Sequence, residues 1–292
     1  MRSRPYLGIL FLFLAAPLHP APPDRIWQGG AAAPVEGACE FDVLTWNIER
    51  GERLEDVAAA LRKFAPAVAL LQEVDLNARR TGRKDVAAEL ARSLGSNYLF
   101  AAEFEELGQG GRRSPAYHGQ AILTSLRMSS PKSLRFRDQV GYWRPRWYLP
   151  NWAIFQRREG GRLALTVELT AASRRLVVYN VHLESRETEA LRLRQMEEVI
   201  EDIRRYPADT AILVAGDLNT LTASPPAVAA LEKTGFRVAL GNEITTRRGA
   251  ALDWMLVRGP IRVAAPKVHR DVPASDHYPL TLRIRLEPPA CP

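Results

Sequence analysis

The chain has 292 residues, 46% hydrophobic and 25% charged, a profile that excludes a disordered polymer and suits one large domain or two small ones. Forty basic against 33 acidic residues give a formal charge of +7, so the surface attracts anions such as nucleic acid or acidic lipid headgroups. Neither of the two cysteines has a His or a second Cys at ligand spacing, which excludes a cysteine-based zinc site.

Residues 1–22 read as a secretory signal peptide: Arg2 and Arg4 precede an apolar run from Leu7 to Leu18, and small residues and prolines follow. The run is short of the ~20 residues a membrane span requires, and an uncleaved anchor helix is the alternative. Export to the periplasm or the medium is therefore expected. Residues 23–38, rich in Pro, Ala and Gly, read as a linker, and 39–292 as one domain without repeats or an internal linker. Cys39 and Cys291 frame that domain. In an exported protein they predict one disulfide closing nearly all of it, worth roughly 4–5 kcal/mol on the loop-entropy model, with two free thiols as the alternative.

Strand-like runs recur through the domain: "FDVLTWNI", "AVALLQEV", "NYLFAAEF", "GQAILTS", "WAIFQRR", "RLALTVEL", "RLVVYNVHL", "TAILVAGDL", "LDWMLVRG", "IRVAAP" and "YPLTLRIRL". Some alternate apolar with polar; others are solidly apolar and must be covered on both faces. Helical stripes interrupt them at Leu54, Val57, Ala58, Leu61 and Phe64, and at Val86, Leu90 and Leu94 before Gly95. A third stripe, from Glu187 to Tyr206, carries Leu191, Met196, Val199, Ile200 and Ile203. A short fourth helix is expected from Pro225 and Pro226 to Gly235. Between Ser125 and Arg162 the pattern weakens into a long segment where Arg interleaves with Tyr and Trp, "RFRDQVGYWRPRWYLPNW". A loop of that length is functional or disordered, and its aromatic content argues against disorder.

The ends of the apolar runs carry the chemistry. Asn47 and Glu49 close the first, Glu73 the second, and Asn180, His182 and Glu184 a later one. Asp217 and Asn219 close "TAILVAGDL", Asp253 opens "LDWMLV", and Asp276 with His277 precedes the last strand. Singly, these read as turn residues or as a hydrogen-bonded core histidine. Together they predict one place rich in carboxylate, carboxamide and imidazole. Burying so many acids is costly unless a cation is present. Oxygen donors select a hard ion: magnesium is expected, with manganese or calcium as alternatives. A hard cation, an oriented imidazole and amide donors suit hydrolysis of a phosphate ester.

In this order, "TWNIE", "LQEVD", "GQAILTS", "NVHLES", "AGDLNT", "LDWMLV" and "SDHYPL" resemble the motifs of the endonuclease/exonuclease/phosphatase superfamily, the group of deoxyribonuclease I, over about Phe41 to Leu286. The resemblance implies a four-layer αββα sandwich, an α/β fold of two mixed sheets with helices outside. It implies metal ligation by Asn47 and Glu73, with Glu49 as a further ligand and Asp276 as an acid able to hold a metal. It gives His182 the phosphate-binding role, and Asp217 and Asn219 the positioning of the attacking water. Asp253 and His277 resemble the couple in which the acid orients the ring; whether Asp217 or His277 takes the water's proton stays open. Gln120 stands where many members carry Asn, and Tyr117 and Tyr142 are the candidates for a tyrosine found in some nuclease branches.

For the substrate, a nuclease is preferred over a phospholipid-directed phosphodiesterase or phosphatase, with a non-catalytic binding module third. Arg79, Arg80, Tyr142, Arg144 and Trp147 are the candidate substrate contacts, cations for phosphates and rings for bases. The same aromatic segment would also suit a membrane surface. No protein partner is inferred, and a monomer is expected.

Overall fold

The computed structural model describes residues 24–30, 32–35, 39–111, 113–143, 148, 152–186 and 188–287. Along them run β1 (Ile26–Gly29), β2 (Glu40–Arg50), α1 (Leu54–Phe64), β3 (Val68–Leu76), α2 (Val86–Leu94), β4 (Asn97–Glu106), β5 (Tyr117–Thr124) and β6 (Arg127–Arg135). There follow β7 (Arg158–Gly160), β8 (Leu163–Ala171), β9 (Arg174–His182), α3 (Glu189–Ile203), β10 (Ala211–Asp217) and α4 (Pro226–Glu232). The chain closes with β11 (Arg237–Leu240), β12 (Asp253–Arg258), β13 (Ile261–Val268) and β14 (Leu280–Leu286). One sheet has the order β1-β4-β5-β3-β2-β14-β13, with β7 also on β4; the other is β11-β12-β10-β9-β8-β6. The β2–β3 and β9–β10 pairs are parallel.

The solidly apolar strands explain the layers. Val43, Val68, Leu70 and Ile122 of the first sheet meet Leu165, Val178 and Leu213 of the second in an inner core. Their neighbours in sequence point the other way, as the two-residue period of a strand demands. Leu44, Trp46, Leu71 and Phe100 lie under Val57, Leu61 and Leu90 of α1 and α2. Tyr179, Val181 and Val214 lie under Met196, Val199, Val228 and Leu231 of α3 and α4. The result is the expected αββα sandwich. All four expected helices form; Asp85 caps α2 by accepting the Ala88 N–H at 3.0 Å, and Gly95 ends it in the left-handed conformation.

Asn180, one of the polar residues read at a strand end, lies inside the sandwich rather than at its rim. Its amide donates to the Leu71 and Ala121 carbonyls at 2.9 and 3.0 Å and accepts from Gln72 Nε2 at 2.6 Å. It bridges the sheets.

Edge strands depart from the sequence reading. Ile26–Gly29 falls in the stretch read as linker, yet it pairs with β4, and Trp27 packs on Phe100 and Tyr117. β6 contains Pro131 and is half exposed; it lies at the sheet edge with a register shift between Ser129 and Lys132, where a missing N–H is tolerated. "WAIFQRR" is no strand. Its alternation has no sheet to face: Phe155 and Gln156 N–H groups turn back to the Trp152 carbonyl, and Ile154 is 81% exposed.

Cys39 is disulfide-bonded. Cys291, the signal-peptide segment, Arg144 and Trp147 lie outside the described residues. Among the described residues no helix is long and apolar enough to cross a membrane.

Candidate active site

Two parallel pairs, one in each facing sheet, bring four strand ends to one end of the sandwich: β2 with Asn47, β3 with Glu73, β9 with His182 and β10 with Asp217. Irregular backbone aims these side chains. Register shifts interrupt β2–β3 between Asn47 and Arg50, and β3–β5 between Leu71 and Val74. Glu49, Glu73 and Asn219 adopt left-handed φ of 46°, 51° and 50°, a strained conformation for side-chain-bearing residues that concentrates at functional sites. Before Asp217, Gly216 has φ +144°, and a Cβ there would stand 1.9 Å from the Val181 carbonyl oxygen. Only glycine allows β10 to approach β9 so closely.

The geometry converges on one atom, Oδ2 of Asp217. It accepts from Asn47 Nδ2 at 3.1 Å, across the two sheets. His182 Nε2 stands 3.7 Å from it and His277 Nε2 3.9 Å. Oδ1 accepts the Asn219 N–H at 2.9 Å, and the Asn219 amide donates to the Leu183 carbonyl at 3.0 Å. His277 Nδ1 bonds Asp253 Oδ2 at 2.8 Å, which leaves Nε2 for the cleft. The loop that carries His277 is fixed in turn: Trp46 Nε1 donates to the His277 carbonyl at 2.9 Å, and Ser275 Oγ donates to the Asn47 carbonyl at 2.7 Å. Thus Asn47, His182, Asp217, Asn219, Asp253 and His277 form one connected group.

Charge shapes the group further. Burial alone would lower the His277 imidazole, but the Asp253 and Asp217 carboxylates override it and push it up to about 10. A proton held more tightly in the folded state contributes stability that is complete below the ordinary value of 6.5 and lost as pH rises through about 10. With chelator present, thermal melting is therefore expected to fall by on the order of 5 °C from pH 7 to pH 10, and Asp253→Asn to flatten that slope. Equal slopes in the two proteins would refute the coupling.

The acids read as metal ligands lie beside this group. Burial works to raise the Glu73 carboxyl, yet the positive fields of His118, His182, Arg50 and Arg162 hold it well below the usual carboxylate range. Burial and the facing Asp276 carboxylate raise the Glu49 carboxyl, a like-charge pair that a cation would relieve. Among the described residues, Asp217, Asp253 and His277 are the one trio with ligand atoms within 4.8 Å of one another; Glu49, Glu73 and Asp276 are spaced more widely. The His277–Asp253 hydrogen bond already spends one atom of each partner in the tight trio. The looser oxygen-rich set suits a hard divalent ion that keeps several waters and needs only one or two carboxylates.

Two functional residues escaped the sequence reading. Glu103 and Arg162 are fully buried behind His182. Arg162 Nη1 stands 2.8 Å from both Glu103 Oε2 and His182 Nδ1, and Glu103 Oε1 lies 3.4 Å from the same ring nitrogen. Burial would raise the Glu103 carboxyl; His182 and Arg162 hold it down to about 2. Gln120 Nε2 also donates to Glu103, at 2.8 Å. The ring of His182 is therefore gripped at Nδ1, and Nε2 is turned toward Asp217.

Of the candidate substrate contacts, Arg80 needs correction. Arg80 is committed to the interior: it forks onto Asp75 at 2.6 and 2.7 Å and reaches Glu106 at 3.2 Å, so it braces the β3 end rather than presenting a phosphate clamp. His118 completes that cluster through Asp75 at 3.0 Å. Arg79 is exposed, its guanidinium donating to the Gly108 carbonyl. Tyr142 is exposed beside the cleft, its ring under the Arg186 guanidinium, whereas Tyr117 packs on Trp27. Glu184 accepts from Trp143 Nε1 at 3.2 Å and anchors the aromatic segment.

The model of the Endonuclease/Exonuclease/phosphatase family matches residues 44–277, from the strand that holds Asn47 through His277. The chain belongs to that family. Members of the endonuclease/exonuclease/phosphatase family hydrolyse phosphate esters and typically depend on a divalent metal. Solved structures share its fold at low identity. The endonuclease/exonuclease/phosphatase from Beutenbergia cavernae is 19% identical, with 85% of this chain and 72% of that one covered and a TM-score of 0.63. The human Nocturnin catalytic domain, solved with bound sulfate, is 16% identical over 91% of this chain and 99% of that one, TM-score 0.63. Truncated TDP2 from Caenorhabditis elegans is 19% identical, covering 84% and 98%, TM-score 0.54. No curated protein sequence matches the chain.

Proposed function

We propose that this protein is a magnesium-dependent phosphodiesterase that cleaves nucleic acid by in-line attack of water on phosphorus. The convergence of Asn47, His182 and His277 on Asp217 Oδ2 carries the reading. A carboxylate ringed by donors is suited to orient a water molecule and accept its proton. His277, keeping its own proton through Asp253 and Asp217, is suited to donate to a phosphoryl oxygen rather than to serve as base. His182, gripped from behind by Arg162 and Glu103, supplies a second donor. Glu73, which has no hydrogen bond among the described residues, would hold the magnesium ion with Asn47, Glu49 and Asp276 around it. When bound there, the ion would neutralise charge on the phosphoryl oxygens. The charge of +7 and the exposed arginines beside the cleft support a polyanionic substrate.

The test is release of acid-soluble fragments from plasmid DNA and from RNA, with magnesium and with chelator. Glu73→Gln is expected to raise the magnesium concentration for half-maximal rate roughly tenfold or more, and to remove the rise in melting temperature that magnesium gives the parent. Inertness toward both polymers with turnover of sphingomyelin or a phosphoinositide would replace the nuclease reading with a lipid-directed one.

A further inference from the structure

Every exposed aromatic side chain among the described residues falls between positions 142 and 155: Tyr142, Tyr148, Trp152 and Phe155. Exposed rings cost free energy, and Tyr142 together with the mutually packed Trp152 and Phe155 marks a contact surface. The described residues on either side, Trp143 at one foot and Arg157 with β7 at the other, are tied beside the active site. At one foot, Trp143 is buried against Phe104 with ring centroids 5.1 Å apart, and its indole bonds Glu184, two residues beyond His182. At the other, the Leu107 N–H donates to the Arg157 carbonyl at 3.0 Å, and β7 joins the first sheet through β4. Trp152 and Phe155 stack nearly parallel, 23° between planes and 6.0 Å between centroids, with both rings exposed. Arg186 lies 4.5 Å over the Tyr142 ring, and Arg79 and Arg157 are exposed nearby.

We infer that the exposed rings of Tyr142, Trp152 and Phe155 form a stacking platform for the unpaired bases of a single-stranded nucleic acid whose backbone crosses the cleft, an inference that rests on the nuclease reading. Flat rings beside guanidinium groups match the chemistry of such a strand, bases on rings and phosphates on cations. A duplex conceals its base faces and gains little from the same rings. These rings would thus give the enzyme a preference for single strands.

The experiment measures Kd by fluorescence anisotropy for a short labelled single strand and for the matching duplex, in a His277→Ala background that prevents cleavage. Adding Trp152→Ala and Phe155→Ala is expected to raise Kd for the single strand roughly tenfold or more and to move the duplex far less. Both side chains are exposed, and a melting curve within a few degrees of the parent verifies the fold. A single-strand Kd unchanged by the double substitution overturns the inference. So does loss of sedimentation with phosphatidylglycerol vesicles while the oligonucleotide Kd stays put, which would assign the rings to a lipid surface. A parent enzyme that turns over bis(p-nitrophenyl) phosphate but cuts neither nucleic acid overturns the nuclease reading beneath it.

Discussion

Asp217→Asn is expected to lower kcat for phosphodiester hydrolysis about 10³-fold or more, measured on bis(p-nitrophenyl) phosphate at saturating magnesium. The amide is nearly isosteric and can still accept the Asn219 N–H that holds Oδ1 at 2.9 Å. What it lacks is the ability to take a proton and the charge that helps His277 keep its own. The imidazole should therefore titrate below the value of about 10 that Asp253 and Asp217 together give it. NMR of the His277 ring reads that change directly. Melting temperature should move little, because the same substitution removes repulsion between Asp217 and the buried Asp253 as it removes attraction to two histidines. Retention of a tenth of parental kcat would take proton acceptance away from Asp217.

The sequence made much of this site readable because its members break apolar runs. Asp217 ends the buried β10, Asp253 opens β12, and Asn47 lies in the buried Val43–Ile48 stretch of β2, so their polarity is out of place locally. The helices were readable for a related reason: a 3.6-residue period needs no knowledge of the partner. Glu103 left no such trace. It sits in "AAEFEE", where an acid looks like the wet face of an alternating strand. A register shift between β4 and β5 at Ala102–Phe104 turns it inward instead. Arg162 reads as a charge ahead of a strand, and its meaning comes from juxtaposition with Glu103 and His182, far off in the chain. Edge strands hid for the opposite reason. β1 and β6 bury only part of their surface, so no run of apolar residues announces them, while the exposed "WAIF" imitates a strand without a neighbour. Arg80 is a cation whose carboxylates, Asp75 and Glu106, become visible only when β3 and β4 are placed in one sheet.

Arg162 is therefore the residue whose replacement tests most of what folding adds. Arg162→Leu removes the one guanidinium that contacts Glu103, His182 and Ser185 together, at 2.8, 2.8 and 3.3 Å. Glu103 would be left buried with the Gln120 amide and the His182 ring in place of its guanidinium, and breaking a buried pair from one side costs about 3–5 kcal/mol. The melting temperature should drop accordingly, by on the order of 10 °C for a domain of this size. Turnover should fall as well, by about 10²-fold, since the His182 ring loses the group that holds Nδ1. Arg162→Lys separates the two effects. An ammonium keeps the charge near Glu103 and should restore much of the stability. It lacks the planar fork that reaches the carboxylate, the imidazole and the hydroxyl at once, so kcat should remain depressed. A lysine variant that recovers both stability and turnover would show that His182 needs only a positive charge behind it, not the geometry of the guanidinium.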